Sequence, residues 1–208
     1  MAIDPKIWRL CLVTDRTLAG GRSLSDIVGA SVRGGATMVQ LREKHAGTRE
    51  FLEQARALKI LLAPHKIPLI INDRVDIALA VHAEGVHVGQ TDMPIEQVRA
   101  LIGPNKLIGL SITNHQQIMQ ADVALADYLG IGPLYDQTTK PDASKTLGVE
   151  GFRKLRQQTQ KPVMAIGGLK ADNSAPVIAA GADGLAVVSA IIKAADPESA
   201  SRDFIKLF

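Results

Sequence analysis

The sequence predicts an α/β protein folded as one (β/α)8 barrel over residues 1–208, and three observations predict it. Short apolar runs alternate with helix-like segments along the chain, eight of each, and no linker or low-complexity stretch interrupts them. Glycine recurs beside the runs, in GGA, EGV, AGAD and IGG, as tight strand-to-helix connections require. The third observation is that runs such as LII and VVS lack polar alternation, which fits parallel strands covered on both faces. An open doubly wound sheet is the runner-up, but no GxGxxG follows the first run, which weakens its dinucleotide-binding version. At 208 residues the chain sits at the compact end of the TIM-barrel range.

The elements follow in order. The run Leu10 to Thr14 leads to a helix over Ser23 to Arg33, and Thr37 to Leu41 leads to the longer Thr48 to Ala63. Pro68 to Ile71 precedes Arg74 to Ala83, with Asn72 and Asp73 available as a helix cap between them. Gly85 to Val88 precedes Pro94 to Leu101, with Asp92 as a second candidate cap. Leu107 to Ile112 is paired with His115 to Leu125, Tyr128 to Ile131 with Val149 to Gln158, and Pro162 to Ile166 with Asn173 to Ala180. The last run, Gly184 to Val188, meets a short helix at Ser189 to Ile192 before Pro197 to Phe208. Strands and helices in this alternation imply parallel pairing through right-handed crossovers.

Composition excludes several classes of function. With 46% hydrophobic and 22% charged residues the chain can bury a sizeable core. The net charge is only +3, the lysines and arginines are scattered, and aromatics make up 3%, so nucleic acid is not an expected partner. No stretch reaches the roughly 20 apolar residues of a membrane span, and a cytoplasmic location is the expectation. Cys11 is the single cysteine, which excludes an intrachain disulfide and a cysteine-rich metal site; within LCLV it reads as a small buried hydrophobe.

In a barrel of this kind the chemistry lies where strands end. Strand two ends in QLREK, where side-chain alternation sends Met38, Gln40, Arg42 and Lys44 to one face and Val39 and Leu41 to the other. Arg42 and Lys44 then stand about 6 to 7 Å apart, a separation suited to one extended anion such as a diphosphate. Strand three ends in Asn72 and Asp73, strand four in Gln90 with Asp92 beyond, and strand five in Ser111. Strand six opens into GPLYDQTTK, strand seven closes with Gly167-Gly168 and strand eight with Ser189. Each has a simpler reading: a solvated edge, helix caps, loop hydroxyls, a turn at Thr138-Thr139 or a glycine turn. Their convergence favours a site. Arg42, Lys44 and Lys140 attract an anion that Asp73 and Asp92 repel, and a divalent cation held by the two carboxylates, as Mg²⁺ commonly is, resolves the conflict. The glycines and short helix after strands seven and eight resemble the barrel phosphate site in which backbone N–H groups face an anion, so small phosphorylated molecules, two of them, are the expected partners.

These motifs resemble the thiamin phosphate synthase family. The matching stretches are LVTD (12–15), VQLREK (39–44), LIINDRVD (69–76), GVHVGQTDMP (85–94), GLS (109–111), GIGPLY (130–135), TTK (138–140), AIGG (165–168) and AGADGLAVVSAI (180–191). The resemblance implies a TIM-barrel enzyme that joins hydroxymethylpyrimidine diphosphate to thiazole phosphate, yielding thiamin phosphate and diphosphate. It further implies that Gln40, Arg42, Lys44, Asn72, Ser111 and Lys140 hold the pyrimidine diphosphate and that Asp73 and Asp92 ligate Mg²⁺. Gln137, Thr138, Thr139, Gly168, Val188 and Ser189 would serve the thiazole phosphate. The chain departs from the family pattern at Gln137, where threonine is usual, and at Asp136, where proline is commoner. His87, on the opposite face from Val86 and Val88, is expected to point into the barrel and hydrogen-bond there. A thiazole tautomerase needs no diphosphate grip, and a non-catalytic barrel that binds a phosphorylated metabolite needs no paired aspartates; both stand as alternatives.

Overall fold

Each apolar run becomes a strand because its side chains find cover on both faces: β1 Leu10–Val13, β2 Met38–Leu41, β3 Leu69–Asn72, β4 Gly85–Val88, β5 Leu107–Ile112, β6 Tyr128–Ile131, β7 Val163–Ile166 and β8 Gly184–Val187. The structure, a computed structural model, describes residues 4–136 and 146–208. All neighbours pair in parallel, and β8 returns to β1 with Cys11 opposite Ala186, so the eight strands close into a barrel. The open-sheet alternative is thereby excluded.

The helices lie outside: α1 Leu24–Arg33, α2 Thr48–Leu62, α3 Val75–Ala80, α4 Ile95–Ile102, α5 His115–Ile118, α6 Gly148–Arg156, α7 Ala175–Ala179, α8 Ser189–Ile192 and α9 Pro197–Ile205. The expected helix over His115 to Leu125 is divided. Gln120 adopts an extended ψ of 143°, which ends the i→i−4 ladder, and a 3₁₀ helix then covers Ala121–Leu125. No helix among the described residues is long and apolar enough to cross a membrane.

Alternation along the strands separates two apolar layers. Leu10, Leu12, Val39, Leu41 and Ile71 face the helices, while Cys11, Val13, Met38, Ile70, Tyr128, Met164 and Ala186 fill the barrel interior. Cys11 is the expected buried hydrophobe, and burial pushes its thiol up to about 12. Trp8, at the end of the 3₁₀ helix Pro5–Trp8, joins the inner layer with its ring 5.2 Å from that of Tyr128. A Cβ on Gly184 would run into the Trp8 carbonyl, so only glycine lets this plug seat against the start of β8. The N-terminal end of the barrel is therefore filled, and polar groups collect at the other end.

Candidate active site

The first two strands bring the first charged pair together. Thr14, directly after β1, donates its N–H to the Gln40 carbonyl at 2.9 Å, and its Oγ1 accepts from the Arg42 N–H at 3.0 Å. Asp15 Oδ2 then accepts from Arg42 Nη1 at 3.1 Å. Gln40 is buried, and its side chain lies beside the Tyr128 hydroxyl inside the barrel, as the alternation of β2 requires. Lys44, two residues beyond Arg42, forms an ion pair with Asp73. Both cations of QLREK thus reach the rim, each already held by a carboxylate. Asp15 joins the site beyond the residues expected from the strand ends, and its signal in the sequence is the LVTD stretch, which puts an acid just after β1.

At the end of β3, the cap reading of Asn72 and Asp73 does not hold. The N-cap position of α3 is Arg74, without a side-chain capping bond, and Asp73 has φ 62°, in the left-handed region that a non-glycine residue adopts at a cost of about 1–3 kcal/mol. Asp73 is fixed there because its N–H donates to the His87 carbonyl at 2.8 Å. Asp92 does not cap α4 either; Oδ2 accepts from the Gly89 N–H at 2.7 Å within the loop after β4. The two aspartates face each other. Burial raises the Asp73 carboxyl above its ordinary range, the Lys44 ammonium pulls it back, and the neighbouring Asp92 carboxylate pushes it up again.

Inside the mouth, His87 bridges two strands, with Nε2 2.9 Å from Ser111 Oγ and Nδ1 3.1 Å from the Tyr128 hydroxyl. It points inward, as alternation on β4 requires. A Cβ on Gly109 would collide with both His87 and Tyr128, and one on Gly130 would lie 3.0 Å from His87 Cε1. These two glycines on β5 and β6 make room for the imidazole. Burial lowers the His87 pKa to about 4, so at neutral pH the ring is uncharged. Gln90 Nε2 donates to the Ser111 carbonyl at 2.7 Å, which holds the loop after β4 against β5. Tyr128 is likewise kept as a neutral phenol by burial.

The part of the rim where the sequence leads one to expect a second anion has a different construction. Gly167 and Gly168 adopt φ 102° and 67°, and a Cβ on either would come within 2.7 Å of Pro133 Cα or of the Asp136 carbonyl oxygen. The β7 end and the segment after β6 can approach only as glycine allows. Beside them lies a cavity of about 720 Å³ lined by Gly168, Val188, Ser189 and Lys193 among others. The structure therefore brings Gly168, Val188 and Ser189 together, while Gln137, Thr138, Thr139 and Lys140 lie outside the described residues. Among the described residues no group of three or more His, Cys, Asp or Glu side chains gathers as a metal cluster, so a cation here would rest on the Asp73–Asp92 pair and its other ligands.

The chain is similar to known proteins along nearly its whole length. The family model described as thiamine monophosphate synthase matches residues 10–191. The thiamine-phosphate synthase of Chloroflexus aurantiacus is 52% identical over 195 residues, 94% of this chain and 90% of that protein. That of Albidiferax ferrireducens is 53% identical over 189 residues, covering 91% and 86%. The solved thiamine phosphate pyrophosphorylase of Pyrococcus furiosus superposes with a TM-score of 0.89 at 37% identity, over 98% of this chain and 96% of that one. With a closed eight-stranded barrel, a charged C-terminal rim and relatives at this level of identity, the chain belongs to the thiamine-phosphate synthase family.

Proposed function

We propose that the chain condenses hydroxymethylpyrimidine diphosphate with thiazole phosphate, giving thiamin phosphate and diphosphate, and that diphosphate departs before the new bond forms. The C–O bond at the pyrimidine CH₂ breaks with its electron pair leaving on the diphosphate oxygen. The thiazole nitrogen then donates its lone pair to that carbon. Inside the mouth the Ser111 hydroxyl stands 2.9 Å from His87 Nε2, but burial holds that imidazole at low basicity and its Nδ1 faces the Tyr128 hydroxyl, which favours the substrate nitrogen as nucleophile. The observation that carries the reading is the convergence of Arg42, Lys44, Asp73 and Asp92 on one open end of the barrel.

Arg42 and Lys44 bind the diphosphate and stabilise the charge that grows on it as it leaves, with Lys140 assigned to the same role from the sequence. Gln40, Asn72 and Ser111 orient the pyrimidine, and His87 holds the Ser111 hydroxyl at 2.9 Å. Gly168, Val188 and Ser189 receive the thiazole phosphate, with Gln137, Thr138 and Thr139 closing that subsite. Asp73 and Asp92 fit Mg²⁺: they are two facing carboxylates, and beside burial, the larger cause, the Asp92 carboxylate adds to the rise of the Asp73 pKa, a repulsion that a cation relieves. When bound, the ion supplies positive charge to the leaving diphosphate. The barrel holds the two substrates in one orientation, which lowers the entropic part of the barrier.

The test is a diphosphate-release assay with purified protein and both substrates, with and without Mg²⁺. Release should require both substrates and the metal, and Asp73→Asn or Asp92→Asn should each slow it at least tenfold, roughly 1.4 kcal/mol or more of barrier, while the fold persists. Full turnover in excess chelator, or in either variant, sinks the metal assignment. No diphosphate release at all would return the tautomerase and carrier alternatives.

A further inference from the structure

We propose that Asp15 is a positioning residue, holding the Arg42 guanidinium over the diphosphate subsite before substrate arrives. The inference rests on the reading that Arg42 binds the diphosphate. Asp15 is buried at 8% exposure, and its two oxygens are used differently. Oδ1 accepts from the Thr17 N–H at 3.0 Å and from Thr17 Oγ1 at 2.6 Å, which fixes the plane of the carboxylate. Oδ2, on the other side, accepts from Arg42 Nη1 at 3.1 Å.

The residue before it completes the grip. Thr14 is fully buried, and its Oγ1 accepts the Arg42 N–H at 3.0 Å. Two successive residues at the end of β1 therefore hold Arg42 at both its backbone and its guanidinium. The cation next to it in sequence is engaged elsewhere, since Arg16 pairs with Glu50 and lies 3.9 Å from Glu43. A guanidinium has five N–H donors in a fixed fork, so one bond to Asp15 orients the plane and leaves the other donors for an anion. An arginine side chain free to rotate loses rotamer freedom on binding, and fixing it in advance improves binding without adding a contact to the ligand.

Asp15→Asn separates the two functions of the carboxylate. The amide keeps one acceptor oxygen for Thr17, but it presents N–H donors to Arg42, which has only donors. The experiment is a double-mutant cycle with Arg42→Met, measuring KM for each substrate at saturating partner. Asp15→Asn should raise KM for the pyrimidine diphosphate about five- to tenfold and leave KM for the thiazole phosphate within about twofold. In the Arg42→Met background the same substitution should change the pyrimidine diphosphate KM by less than about twofold. Thr17→Val, which loses the Oγ1–H bond to Asp15 Oδ1 but keeps the capping N–H bond and the Oδ2–Arg42 pair, should leave both constants within about twofold. Should Asp15→Asn not fold, Asp15→Glu runs in the same cycle and should show the same dependence on Arg42. An equal effect in both Arg42 backgrounds, or equal losses for both substrates, overturns the proposal and leaves Asp15 a cap. If Arg42→Met alone does not move the pyrimidine diphosphate constant, the assignment of Arg42 fails and the proposal falls with it.

Discussion

His87 has a consequence for stability that depends on pH. Its pKa is about 4 in the folded protein because burial disfavours the charged ring, against roughly 6.5 in an unfolded chain. The unfolded state therefore binds the proton more readily, so the stability is fully present above pH 6.5, is lost as pH falls through that value towards 4, and is flat below. A difference of about 2.5 units corresponds to roughly 3 kcal/mol. Asp73 acts in the opposite sense, since a raised carboxyl pKa makes acid favour the folded state. Comparison with His87→Gln removes that background. Urea unfolding at pH 7.5 and 4.5 should show wild type losing about 2 to 3 kcal/mol more than His87→Gln across the interval. Parallel losses in the two proteins would mean that the imidazole is charged or solvated in the folded state. The inward direction of His87 was legible in the sequence from its place between Val86 and Val88. Its two partners were not, because Ser111 and Tyr128 lie on other strands.

The strands were legible because their cause is local: a short apolar run between glycines has one stable placement, buried on both faces of a parallel sheet. The helix boundaries were less so. Asn72 and Asp73 have the composition of a cap, yet the pull of the His87 carbonyl on the Asp73 N–H at 2.8 Å sends Asp73 to φ 62° and moves the helix start past Arg74. Likewise, Ile118 and Val123 are both buried but stand on different short helices, so their spacing does not report one continuous face. The β4–β5–β6 patch shows how closely elements are fitted. Glycine at 109 is required because His87 and Tyr128 occupy the volume a side chain would take. Gly109→Ala should cost about 1 to 3 kcal/mol through overpacking, read as a lower denaturant midpoint with an unchanged slope. Ile60→Ala, at a side chain 74% exposed on α2, is the control and should shift stability by less than about 0.5 kcal/mol. A Gly109→Ala midpoint equal to that control would show that the imidazole and phenol have room to move.

On the scale of the whole molecule, the barrel closes through β1 and β8, and the helical layer closes with it. The last helix, α9, lies against α1: Ser201 Oγ meets Ser31 Oγ at 2.8 Å, both fully buried, and the Arg33 guanidinium binds Glu198 at 2.9 Å. Gly34 admits this approach, since a Cβ there would fall 2.8 Å from Ser201 Cβ. Removing residues 196–208 exposes the face that Phe204 covers and leaves Ser31 without its partner. The expected loss is about 2 to 4 kcal/mol, from roughly 1.5–3 for the aromatic ring and about 0.5–1.5 for the lost hydrogen bond. Chemical denaturation of the truncated chain should show a much lower midpoint or no cooperative transition, and an unchanged midpoint would make α9 peripheral. The sequence by itself determined the period of the fold, the barrel class and the polar residues at the strand ends, because side-chain alternation and strand termination are properties of a few neighbouring residues. Only the tertiary structure decided which of those residues meet. Asp15 finds Arg42 across 27 positions, Lys44 finds Asp73 across 29, and His87 reaches Ser111 across 24 and Tyr128 across 41. Those pairings follow from strand register and from closure of the sheet on itself, and no local pattern of residues carries either.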